Sequence, residues 1–194
     1  VWAKIDPANT GYLFTNNPAA GATLFLKPEP SANRFVLSDR PNAGFDLEIQ
    51  SHTFDGEWHH IALVRDYAGA VLRIYVDGVL IGTHTARGLT DLSGLKIGDQ
   101  FTGTLDEFQI WSIARTGSEI RSSLSKRLNG TEDGLICYWR FDEGAGNSVG
   151  DATGNGFDGA ITSAAWVDST APAALPPRYL TIVDNNDPSL GGLP

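Results

Sequence analysis

Short apolar runs, each cut off within a few residues by glycine or proline, leave this chain little to build with except β-strands and turns. Its 22 glycines and 10 prolines sit among those runs. A long helix crossing them would lose about 1 kcal/mol at each glycine and about 3 at each proline. The segment from Leu72 to Gly82 alternates apolar and polar positions and turns on Asp77-Gly78, the pair that supplies positive φ for a tight hairpin. The run from Gly56 to Val64 is apolar on both faces, as in a central strand covered on both sides. The residues from Gly103 to Trp111 read as one strand with Asp106, Phe108 and Ile110 on one face and Leu105, Glu107, Gln109 and Trp111 on the other.

Helical spacing emerges only after that strand. Thr116 followed by Glu119 forms a capping box, and Ile120, Leu124 and Leu128 recur every fourth residue, which predicts a short helix over one end of the fold. The sequence from Leu135 to Phe141 returns to strand. With 194 residues, 41% of them hydrophobic, the chain can bury one sizeable core. Residues 1–168 are expected to form it. Residues 169–194 hold a proline-rich linker, up to Pro177, and a strand-like tail, Arg178 to Val183. The fold class is therefore all-β, a two-sheet antiparallel sandwich with one short helix.

A formal charge of -9 argues against nucleic acid, whose binding depends on basic side chains, and suits cations. No apolar stretch approaches the ~20 residues a membrane span needs, so no insertion is expected. Cys137, the single cysteine, cannot form an intrachain disulfide and reads as a buried thiol between Ile136 and Tyr138.

Several of these segments, taken in order, carry a resemblance. They are Asp55 to Val64, the hairpin Tyr75 to Gly78, Gly103 to Trp111, Tyr138 to Gly146 and Asp151 to Gly159. Together they resemble the laminin-G-like, concanavalin-A-like and pentraxin-related jelly-roll domains of bacterial secreted proteins. The resemblance spans roughly residues 1 to 168. It implies two antiparallel sheets face to face, a structural calcium ion, an extracellular or cell-surface location, and a part in sugar binding, adhesion or surface architecture.

The loop from Asp151 to Gly156 places oxygen-bearing Asp151, Thr153 and Asn155 on alternate residues before a glycine, the order in which calcium loops present their first ligands. Thr162 stands where the bidentate glutamate of an EF-hand would fall, so a remote carboxylate would have to complete the shell. Asp106 is the expected donor, because an ionised group on the face it shares with Phe108 and Ile110 needs a counter-charge. The reading without a metal is that Asp151 and Asn155 shape a turn and Asp106 accepts backbone hydrogen bonds. His59 and His60 point to opposite faces of a strand and cannot chelate one ion together, so they are expected to pack and hydrogen-bond.

No catalytic residue is expected. Asp106 and Glu107 diverge, whereas glycoside hydrolysis needs two carboxylates facing one sugar across ~5 to 9 Å, and no serine lies in a nucleophile elbow. The tryptophans at 2, 58, 111 and 139 lie within strand patterns and read as core. The expected function is a non-catalytic extracellular binding or adhesion module for a glycan or cell-surface ligand, stabilised by calcium. The alternative is a structural subunit of an extracellular assembly, self-associating by strand exchange through the tail from Arg178 to Val183. A glycan-cleaving enzyme ranks third.

Overall fold

The computed structural model describes residues 1–16, 22–41, 47–50, 54–85, 92 and 94–173. The tail from Arg178 to Val183 lies outside them. Eleven strands come first in the described chain: β1 (Trp2–Ile5), β2 (Phe14–Asn16), β3 (Ala22–Glu29), β4 (Arg34–Pro41), β5 (Leu47–Gln50), β6 (Trp58–Asp66), β7 (Val71–Val76), β8 (Val79–Thr85), β9 (Leu95–Ile97), β10 (Gly103–Asp106) and β11 (Phe108–Trp111). They are followed by α1 (Gly117–Ser123), β12 (Leu135–Trp139), β13 (Ser148–Val149) and β14 (Gly159–Ala160).

Ten of the strands form two antiparallel sheets of five. The first has the order β10-β1-β6-β7-β8 and the second β5-β4-β3-β2-β9. Period-two alternation turns Ala3, Ile5, Ile61 and Ile74 of the first sheet toward Leu24, Leu26, Phe35 and Leu37 of the second, and these residues share one core. The expected two-sheet sandwich with one short helix is the fold observed. β6 is the third of five strands, as its two apolar faces required.

Local chemistry explains the tight points. Asp77 and Gly78 both have positive φ, 50° and 71°, which matches the right-handed twist of the β7–β8 hairpin. At Gly78 a Cβ would also stand 2.8 Å from the Cβ of Arg121, so α1 could not approach the turn so closely with any other residue there. α1 starts with the predicted box: Thr116 accepts from the Glu119 N–H, and the Glu119 carboxylate accepts from the Thr116 N–H. The helix ends at Ser123, so the third residue of the expected stripe, Leu128, lies beyond it and packs with Leu135 and Tyr138 instead.

The strand expected from Gly103 to Trp111 is interrupted. Glu107 adopts φ 52°, a left-handed conformation, and divides it into β10, which pairs with β1, and β11, which pairs with β12. The late segment is thereby joined to this sandwich: Phe108 stands opposite Trp139, and Trp139 in turn bridges Asp151. Residues 169–173, read from the sequence as linker, also pack on the body, with Ala171 and Ala173 buried against Trp2. No helix among the described residues is long and apolar enough to cross a membrane.

Candidate functional site

The same alternation that fills the core leaves the second sheet an outer face. In β3 it carries Phe25, Lys27 and Glu29, in β4 Arg34, Val36 and Ser38, and in β5 Glu48 and Gln50. Arg34 sits between two carboxylates, at 2.8 Å from Glu29 and 2.7 Å from Glu48, while Lys27 holds the other oxygen of Glu29 at 3.0 Å. Val36, between Lys27 and Glu48 in the register, is buried beneath this chain of ions. Burial would raise the pKa of Glu29, but hydrogen bonds from Lys27 and Arg34 outweigh it and hold the carboxyl below its ordinary value. Beside the ions, the rings of Tyr12 and Phe25 meet edge to face at 5.4 Å. Phe14, two residues on from Tyr12, packs inward against the core.

The outer face of the first sheet is different. Ile120 of α1 packs there on Val64 and Tyr75, and Ala171 and Ala173 pack on Trp2. The Trp58 indole N–H donates to the Thr170 hydroxyl at 3.0 Å. His60 meets Trp2 edge to face at 5.5 Å and lies toward this covered side, and burial pushes its pKa down to about 2, so it is neutral. On the opposite face His59 bridges two aspartates, 2.7 Å from Asp77 and 3.2 Å from Asp55. Burial would lower its pKa; the two carboxylates outweigh that and raise it. The two histidines do diverge.

The four residues expected to hold calcium fall into two neighbourhoods. Asp151, Thr153 and Asn155 share one loop pinned to β12. The Asp151 carboxylate accepts from the backbone N–H of Tyr138 and Thr153, both at 3.0 Å, and of Phe157 at 3.2 Å, with the Thr153 hydroxyl 2.8 Å from each oxygen. The Asn155 amide donates to the Ile136 carbonyl at 2.8 Å. Burial would raise the Asp151 pKa, and these donors outweigh it and lower it.

Asp106, 2% exposed, accepts instead from the Glu107 N–H at 2.8 Å and from the Ser169 hydroxyl. Burial raises its pKa. No three His, Cys, Asp or Glu side chains converge on a metal position among the described residues. To take calcium, Asp106 would have to leave Ser169 and Asp151 would have to exchange its N–H donors for the ion.

The most buried acid among the described residues is Glu107, expected from the alternation to lie on the face opposite Asp106. Glu107, fully enclosed, accepts from the Tyr138 hydroxyl with one oxygen, and its Oε1 has no partner among the described residues. Burial raises its pKa, against the hydrogen bond from Tyr138, and the charge of Asp106 adds to the rise. Strand alternation gave no warning of its left-handed turn. Cys137 is buried, and burial pushes its thiol up to about 12.

Comparison with known proteins agrees with this architecture. A family profile described as the concanavalin A-like lectin/glucanases superfamily, of the laminin-G-like type, matches residues 1–121. Pappalysin-1 of Mus musculus is 25% identical over 104 residues, which cover 47% of this chain and 6% of that protein. A crystal structure from Bacteroides ovatus, of a protein described as a candidate carbohydrate binder, superposes with a TM-score of 0.58 at 17% identity. That match covers 86% of this chain and 59% of the other. The chain thus spans only part of the length of either protein. With two five-stranded sheets in the observed order and a matching profile over more than half its length, the chain belongs to the laminin-G-like family of the concanavalin A-like lectin/glucanases superfamily.

Proposed function

We propose that this protein is a non-catalytic carbohydrate-binding module of an extracellular or cell-surface protein, and that the glycan lies on the outer face of the second sheet. The observation that carries the reading is the Tyr12–Phe25 ring pair beside the Lys27–Glu29–Arg34–Glu48 ion chain on that face. Sugar rings stack their C–H faces on aromatic side chains, while fixed charged groups receive and donate to hydroxyls without reorganising. The Bacteroides ovatus structure, described as a candidate carbohydrate binder, supports the ligand class.

The family name includes glucanases, and the described acids explain why binding is preferred here. A glycosidase acid needs a raised pKa and access to substrate. Glu29 is accessible, but its pKa is lowered. Asp106 and Glu107 are raised, but both are buried. Access and protonation never coincide on one described carboxylate of this set.

The test is a glycan array followed by calorimetry. Phe25→Ala should reduce affinity for the retained glycan at least ~10-fold while leaving the melting temperature within about 3 °C. Wild-type affinity in that variant would remove the site, and sugar release on incubation would remove the non-catalytic reading. Repeating the titration with chelator tests the expected structural calcium at Asp106, Asp151, Thr153 and Asn155. Unchanged melting and binding would dispose of it.

A further inference from the structure

Between β5, at the edge of the second sheet, and β6, in the middle of the first, the chain crosses from one layer to the other. The crossing is anchored at Phe54, which is buried with its ring 5.1 Å from that of Phe35. Past that anchor, Asp55, Gly56 and Glu57 lead into β6. Gly56 has φ 80°, and a Cβ there would meet nothing within 4 Å, so this stretch runs over open space. His59 ties it down. The ring Nε2 stands 3.2 Å from Asp55 Oδ1, and Nδ1 stands 2.7 Å from Asp77 Oδ2 at the β7–β8 turn.

Both partners are carboxylates, which accept but do not donate when ionised, so both contacts are hydrogen bonds only if both ring nitrogens carry a proton. A neutral imidazole has one N–H and one lone pair. One lone pair would then face a carboxylate oxygen, and that contact is repulsive.

We propose that His59 is a proton-operated latch: its imidazolium fastens the crossing segment at Asp55 to the β7–β8 turn at Asp77, and loss of one ring proton frees Asp55 while Asp77 keeps its bond. Asp77 is the partner retained because the backbone fixes it independently. Its Oδ1 accepts from the His60 N–H at 2.8 Å, and its own N–H donates to the His60 carbonyl at 2.9 Å. Asp55 is more exposed, at 53% against 40%, and it already accepts from the Glu57 N–H at 3.0 Å. It can leave the ring without leaving its carboxylate bare. Phe54 stays in the core, so the release is confined to Asp55, Gly56 and Glu57.

The other charges on the surrounding elements are turned elsewhere. Ala3 of β1 and Leu105 of β10 are the residues level with His59, which places Lys4, opposite Trp58, on the other face. Asp6, just past β1, accepts from the Ala8 N–H, Glu57 is exposed, and Arg121 of α1 donates to the Gly78 carbonyl across the turn. Among the described residues, Asp55 and Asp77 are the groups that bond the ring.

The pH window follows from the two sides of the latch. Burial lowers the His59 pKa, but the two carboxylates carry it above its ordinary 6.5, and the Glu57 N–H, with His59 itself, holds Asp55 below its ordinary 3.8. A histidine raised on folding contributes fully below 6.5 and loses that contribution as pH rises through the folded value; a lowered carboxylate contributes fully above 3.8 and loses it as pH falls through its own. The latch is thus fastened in mildly acidic surroundings and opens on the alkaline side.

The test is an NMR titration of the whole chain from about pH 5 to about pH 9, following the His59 ring nitrogens and the amides of Asp55, Gly56 and Glu57. In the wild type these amides should move through the same midpoint as the ring, above 6.5, and the neutral ring should hold its proton on Nδ1. In Asp55→Asn the ring midpoint should fall by ~0.5 or more and the amide step should vanish, with the β7 amides unmoved as the check that the sandwich is intact. An unchanged midpoint in that variant, or wild-type amides that ignore the titration of the ring, would overturn the latch. A neutral ring protonated on Nε2 would overturn the release of Asp55, since Asp77 would then be the partner let go.

Discussion

The two sheets have equal numbers of strands and share one core, yet their outer faces have different fates. On the first sheet, Trp2, Trp58, Val64 and Tyr75 project outward and are roofed by α1 and by residues 169–173. On the second, Phe25, Lys27, Glu29 and Arg34 project outward, the ring meeting Tyr12 and the charged groups pairing with one another and with Glu48. Covering one face satisfies the folding requirement of an apolar layer. The other face buries Val36 and Ser38 as well, but the charged side chains it leaves partly exposed are paired with one another.

Substitutions on the two faces should therefore differ in kind. The largest effect is expected at Trp2, buried between His60, Ala171 and Ala173. Trp2→Ala should cost about 3 to 5 kcal/mol in a denaturant titration, and a loss under about 1 would mean that the roof is not packed as described.

Next comes Asp151, whose carboxylate gathers the N–H groups of Tyr138, Thr153 and Phe157. Asp151→Ala should cost about 1 to 3 kcal/mol, seen as early exchange of the Tyr138 and Phe157 amides. Melting that remains unchanged would show that the loop does not hold β12.

Glu107→Gln should have a smaller and pH-dependent effect. Because the folded pKa of Glu107 is raised, its stabilising contribution is complete below the ordinary carboxylate pKa and is lost as pH rises through the folded value. The amide removes that loss, so the variant should melt at a higher temperature relative to wild type at pH 8 than at pH 4. The opposite slope would mean that the buried site prefers an anion. On the outer face of the second sheet, Arg34→Ala should change stability by no more than about 1 kcal/mol, and less in high salt, because its ion pairs are partly exposed. A larger loss would make the ion chain structural and erase the contrast between the faces.

How much of this the sequence carried depends on the range of the interaction. The Asp77-Gly78 turn and the Thr116–Glu119 box are decided by residues within four positions of one another, and both are found in the structure. The apolar faces of β6 even indicated that its sheet would be roofed on both sides. The left-handed bend at Glu107 is not local in that sense: it meets Tyr138, 31 residues away, and nothing in the alternation of Leu105 to Trp111 requires it. The partner of Asp106 was unreadable for the same reason, since Ser169 lies 63 residues on, in a stretch whose composition is that of a linker. Membership in the Tyr12–Phe25 platform depends on which strand lies beside which, and periodicity does not encode that.

Tyr138 acts as a rivet. Its main chain is held by Asp151 and Ala152 on one side, and its hydroxyl reaches through to Glu107 on the other. The late segment is therefore expected to open together with the sandwich, and release of the Tyr138 amide in hydrogen exchange well before the amides of β6 and β7 would separate the two.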